Sequence, residues 1–88
     1  MNLQDLRAEI DKIDEELIRL FGERMDISAK VAEYKRENNM PVFDAKREQE
    51  ILEKIAKKVT KDRKDAIITL YKQIFELSRA EQEQILGG

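Results

Sequence analysis

The stretch Leu20–Lys35, LFGERMDISAKVAEYK, continues an apolar series at heptad spacing. The series opens with Leu3, Leu6, Ile10, Ile13, Leu17 and Leu20 and resumes with Ile27, Val31 and Tyr34. Residues three and four apart share one face of a helix, so this spacing predicts a single helix with a narrow apolar seam. One seam position, where a leucine is due, holds Arg24.

The helical pattern runs from about Asn2 to Arg36 and meets its breaker at Asn38, Asn39 and Pro41, the only proline. Its exposed faces carry opposite charges four apart, Glu15 with Arg19 and Asp26 with Lys30. Gly22 costs the helix about 1 kcal/mol relative to alanine and is read as a point of close helix packing. Asp44 is the expected N-cap of a second helix, 44–59, with a stripe of Ile51, Leu52, Ile55 and Val59. A polar turn at residues 60–64 leads to a third helix, 63–86, with the seam Ile67, Tyr71, Ile74, Ser78, Gln82 and Ile85. Gly87 and Gly88 read as a helix stop or a linker remnant. The expected fold is therefore all-α, one domain over residues 1–88 with one very long, one short and one medium helix. Leu6, Ile10, Ile13, Leu17, Ile51, Ile55 and Ile74 are its expected core.

Length adds a constraint. A 35-residue helix spans about 52 Å, whereas a compact chain of this size has a radius of gyration of about 12 Å. The first helix must overshoot any globule the chain builds alone. Its seam stays apolar along nearly the whole overhang, so a second copy is expected to cover it. The simplest arrangement is a two-fold homodimer with the long helices packed lengthwise into a helical bundle.

Composition narrows the function. Apolar and charged residues each make up 41% of the chain, too polar for a membrane span and too apolar for disorder. With no cysteine and no histidine, there is no disulfide, no Cys/His metal site and no histidine base. The net charge is −2 with both signs mixed along the chain, which is not the basic footprint of a nucleic-acid binder. No signal peptide or long apolar run is visible, and the expected location is cytoplasmic.

The polar faults in the seams fall into a pattern. Arg24, Ser28, Val31 and Lys35 form one stripe, and eleven residues return Lys35 to the azimuth of Arg24 within about 20° and about 16 Å further along. Two long cationic side chains at that spacing can grip a small anion. Ser78 and Gln82 interrupt the third helix's seam, while Arg47 and Glu48 sit on the line leading to Ile51 and Ile55. Each alone has an ordinary reading: Arg24 could pair with Glu48, Lys35 could be solvated, and Ser78 with Gln82 could form a polar helix contact. Together they put an excess of cations and a neutral amide on facing seams, a pocket for a small, multiply anionic ligand. Arg7 flanks the seam about 25 Å from Arg24. In an antiparallel dimer it would reach the middle of the other copy's long helix and complete that copy's pocket.

At these residues the chain resembles the all-helical chorismate mutases. The matching elements are LRAEIDKID at 6–14, Glu23-Arg24, Lys35 after Val-Ala-Glu-Tyr, Pro41 to Asp44 leading to Arg47-Glu48, and Ser78 followed by Gln82. The resemblance implies an intertwined homodimer that converts chorismate to prephenate by a Claisen rearrangement, with no cofactor and no metal, on the way to phenylalanine and tyrosine. It further implies that Arg24 and the partner's Arg7 hold the two substrate carboxylates, while Lys35 and Gln82 meet the ether oxygen. Glu48 and the backbone near Asp44 would take the ring hydroxyl, Arg47 and Ser78 would complete the carboxylate contacts, and Val31 would supply an apolar wall. Two alternatives remain at this point: an isochorismate-pyruvate lyase of the same architecture, and a non-catalytic helical dimerisation or regulatory module.

Overall fold

The computed structural model describes residues 2–87, and every regular element among them is helical. The order is α1 (Leu3–Glu37), α2 (Ala45–Ala56), a single 3-10 turn (Lys61–Arg63) and α3 (Lys64–Gly87). Helix α1 starts on a reciprocal cap: Asn2 accepts from the Asp5 amide and Asp5 accepts from the Asn2 amide. Its outer face is braced at Arg19, which bonds both Glu16 and Glu23. That differs from the expected Glu15–Arg19 pair. Glu16 lies one turn back, and both its oxygens meet the planar guanidinium fork. The Glu16 hydrogen bond, followed by the Glu23 charge, raises the Arg19 pKa above its ordinary value.

The end of α1 matters for the site. Asn39 sits in the left-handed region at φ 54°, which asparagine tolerates better than most residues. The Met40 amide reaches the Lys35 carbonyl at 2.8 Å and the Asn39 amide reaches the Arg36 carbonyl at 3.3 Å. These are the two bonds of a Schellman turn. The turn folds the chain back, so that the Val42 carbonyl meets the ammonium of Lys35 at 2.7 Å.

Asp44 caps α2, its carboxylate accepting from the Arg47 amide at 3.0 Å. Loss of an N-cap side chain costs about 1 kcal/mol, so Asp44→Ala is expected to lower unfolding free energy by that amount in urea melts at fixed protein concentration. Helix α2 stops at Ala56, one turn short of the expected Val59. The Lys57 and Lys58 amides bond to carbonyls three residues back, at Lys54 and Ile55, and tighten the backbone out of α geometry. The polar turn before α3 is likewise wound into 3-10 form, with the Arg63 amide on the Thr60 carbonyl. Helix α3 continues through Gly87, so Gly87 is not a stop, and Gly88 lies outside the described residues.

Helix α3 packs against both α1 and α2, which do not pack against each other. The molecule is 54 Å long and 14 Å thick, with a radius of gyration of 16.2 Å. That exceeds the roughly 12 Å of a compact chain of this length, as the length of α1 demands. Only Ala32 and Phe75 are buried apolar residues among those described. The expected core positions Leu6, Ile10, Ile13 and Leu17 lie open instead, Ile10 at 54% and Ile13 at 59% exposure, because α3 covers only the later part of α1. Gly22 also lies away from α3: a methyl group there would meet nothing within 4 Å. The close packing expected at Gly22 is not made within one chain.

Candidate active site

The gap between α1 and α2, backed by α3, is a cleft of about 470 Å³. Helix α1 lines it with Arg24, Ser28, Val31 and Lys35 among others, the loop with Val42 and Asp44, α2 with Arg47, Glu48 and Ile51, and α3 with Phe75, Ser78, Arg79 and Gln82. Eight candidate residues from the sequence therefore face one space: Arg24, Val31, Lys35, Asp44, Arg47, Glu48, Ser78 and Gln82. Arg7 is the exception. It lies on the exposed first half of α1, about 25 Å from Arg24 along the helix.

Arg24 is held from α3. Its guanidinium donates to the Ser78 hydroxyl at 3.2 Å, and that hydroxyl turns its own hydrogen toward the Met25 sulfur. The aromatic rings of Phe75 and Tyr71 lie 5.8 and 6.0 Å from the same guanidinium, a placement that favours the cation over either ring. The pairing of Arg24 with Glu48 does not form, because Glu48 is taken by Arg79. Gln82 is 7% exposed, and its amide nitrogen donates to both the carbonyl (2.9 Å) and the hydroxyl (2.8 Å) of Ser28. A buried amide thus finds its partners across the α1–α3 contact.

Charge decides what this cleft suits. Its three acidic residues are each engaged: Glu23 by Arg19, Asp44 by the amide it caps, and Glu48 by Arg79. Among the described residues, no carboxylate lies within 4.0 Å of the charged nitrogens of Arg24, Lys35 or Arg47. Three cations thus line the cleft without a direct ion-pair partner. Cations grouped in this way, Arg24 and Lys35 half-buried and Arg47 exposed, suit an anion with several oxygens.

Arg79 and Phe75 also line the cleft although neither interrupts a seam in the sequence, where Ser28 stands only as a stripe position. Glu48 was the available signal for Arg79, since a carboxylate aimed into a cleft needs a cation or donor beside it.

Comparison with known proteins gives this geometry its context. The sequence profile of chorismate mutase type II matches residues 6–83. The chain belongs to the type II chorismate mutase family. A chorismate mutase of Methanocaldococcus jannaschii is 31% identical over 86 residues, covering 96% of this chain and 87% of that protein. A bifunctional chorismate mutase/prephenate dehydratase of Aquifex aeolicus is 34% identical across 94% of this chain but only 24% of its own length. The chain spans about a quarter or less of the first curated relatives it matches. Among solved structures, a chorismate mutase from Thermus thermophilus superimposes with a TM-score of 0.88 at 30% identity, covering 92% of this chain and 93% of that one. The type II chorismate mutase fold of this chain is built without a strand among the described residues.

Proposed function

We propose that the protein converts chorismate to prephenate, and that two copies assemble so that each completes the other's site. The observation that carries this reading is the convergence of Arg24, Lys35 and Arg47, all without a carboxylate partner, on one cleft that also receives the Gln82 amide. Chorismate is a dianion with an ether bridge and a ring hydroxyl. In its rearrangement the ether C–O bond breaks as a C–C bond forms between the enolpyruvyl group and the ring. No proton moves and no nucleophile attacks.

The residues divide that work by charge. Arg24, oriented by Ser78, takes one carboxylate, and Arg7 of the partner subunit takes the other, with Arg47 adding positive potential. Holding both ends confines a flexible substrate to its reactive, chair-like shape. Lys35 has three N–H donors and spends one on the Val42 carbonyl, leaving two for the ether oxygen as negative charge builds there. Gln82 joins it by turning one N–H away from Ser28. Glu48 accepts the ring hydroxyl beside the Asp44 backbone, and Val31 closes the apolar side.

The second copy is supported by the open face of α1, where Leu3, Leu6, Ile10, Ile13 and Leu17 leave an apolar row without cover. Unpartnered rows of this length are characteristic of interaction surfaces. Subunit complementation tests both halves of the proposal at once. Arg7→Ala and Arg24→Ala are each expected to consume chorismate poorly. Refolded together in equal amounts they should recover about a quarter of parental activity, because half of the dimers carry one intact site out of two. A mixture no better than its components would rule out a shared site.

A further inference from the structure

We propose that Arg79 is a positioning residue: it holds Glu48 in place and cancels its charge so that a doubly negative substrate can enter. This rests on the chorismate reading and extends it to a residue that does not itself touch the substrate. Arg79 on α3 and Glu48 on α2 are 31 positions apart and form the single ion pair that joins two helices among the described residues. Both side chains are mostly sheltered, at 28% and 23% exposure. The guanidinium is also fixed from a second side, 5.0 Å from the Phe43 ring. Its bond engages Oε2 of Glu48, and Oε1 remains to accept a hydroxyl hydrogen.

Two consequences follow from that geometry. A carboxylate tied at one oxygen presents the other in a set direction, which is what an acceptor for a ring hydroxyl needs. More important is sign. Without Arg79, Glu48 would have no ion-pair partner of its own and would offset the Arg24, Lys35 and Arg47 cations that the substrate needs. It would also face two substrate carboxylates across a small cleft, where like charges repel more strongly than in water. Because the substrate and its transition state carry the same two charges, this repulsion weakens the binding of both alike. It shows in KM more than in kcat.

The experiment is a double-mutant cycle on the full chain, with Arg79→Met, Glu48→Gln and the pair combined, plus Arg79→Lys. Arg79→Met is expected to raise KM for chorismate by about tenfold or more with a smaller change in kcat, and Arg79→Lys to recover most of it. In the Glu48→Gln background, where no charge needs cancelling, the same change should cost less than about threefold. Equal losses in both backgrounds would overturn the proposal and make Arg79 a packing strut or a direct substrate contact.

Urea midpoints of the four cycle proteins at one concentration read the pair without any substrate. The double variant should lose less than the sum of the singles, and additive losses overturn the ion pair itself. An inert parent with non-additive midpoints instead overturns the chorismate reading, and with it the substrate role assigned to a pair that is still there.

Discussion

Lys35→Ala is expected to lower kcat on chorismate by about 10²–10³, or about 3–4 kcal/mol, the usual effect of deleting one preorganised donor at a developing oxyanion. The ammonium is placed by backbone, not by neighbouring side chains. The Schellman turn at Asn38–Met40 brings the Val42 carbonyl to its nitrogen and fixes where the remaining N–H groups point. Those turn bonds are all main-chain and survive the truncation. The lost Lys35–Val42 hydrogen bond involves a charged donor in a partly open site and is worth about 1.5–3 kcal/mol. Far-UV circular dichroism and sedimentation should therefore match the parent while turnover collapses. A kcat within tenfold of the parent would remove Lys35 from the reaction.

The parts of this molecule that were legible in the sequence share a cause. Arg24, Ser28, Val31 and Lys35 repeat at four, three and four residues, so helical geometry alone puts them on one line. Pro41 and the two asparagines fix where that line ends, and the length of α1 exposes its overhang. What escaped involves two faces of one helix. Helix α3 shows a single seam in the sequence, through Ser78 and Gln82, yet it packs against both α1 and α2. Consecutive helical residues are about 100° apart, so Ser78 turns to Arg24 while Arg79, its neighbour, turns to Glu48. Phe75, four before Arg79, stands between the two faces with its ring near Arg24, and in the sequence it is masked by its seam neighbour Ile74. A one-stripe reading finds residues that meet one partner and passes over those that meet a second.

The early end of α2 has a different origin. Residues 57–59, Lys-Lys-Val, have no propensity that forbids a helix, and the stop lies in backbone bonds to Lys54 and Ile55 that only the folded chain shows. The core placed at Leu6, Ile10, Ile13 and Leu17 follows the same logic at larger scale. Heptad spacing identifies a face that wants cover, and it carries no information about which chain supplies it.

Gln82→Glu is expected to turn a pH-independent reaction into one that runs only in acid. The amide now donates at every physiological pH, to the Ser28 carbonyl and hydroxyl in the resting site and, on the proposed mechanism, to the ether oxygen. A carboxylate in its place has nothing to donate, and at 7% exposure it would be desolvated against a carbonyl oxygen. Both effects favour the protonated acid and raise its pKa, while Arg24 and Lys35 on the same cleft oppose the rise.

The sign for stability follows. A carboxyl raised above its unfolded value of about 4.3 stabilises the fold fully below that pH, and the contribution is lost as pH rises through the folded value. Urea midpoints of Gln82→Glu should accordingly fall with rising pH relative to the parent. Turnover separates the two roles of Gln82. If the side chain only ties α1 to α3, kcat per folded enzyme stays level while stability slides. If it also meets the ether oxygen, kcat/KM should fall about tenfold per pH unit above the new carboxyl's pKa, reaching a deficit of about 10²–10³ near neutrality. A flat pH–rate profile for folded Gln82→Glu would leave Lys35 as the sole donor to the breaking bond.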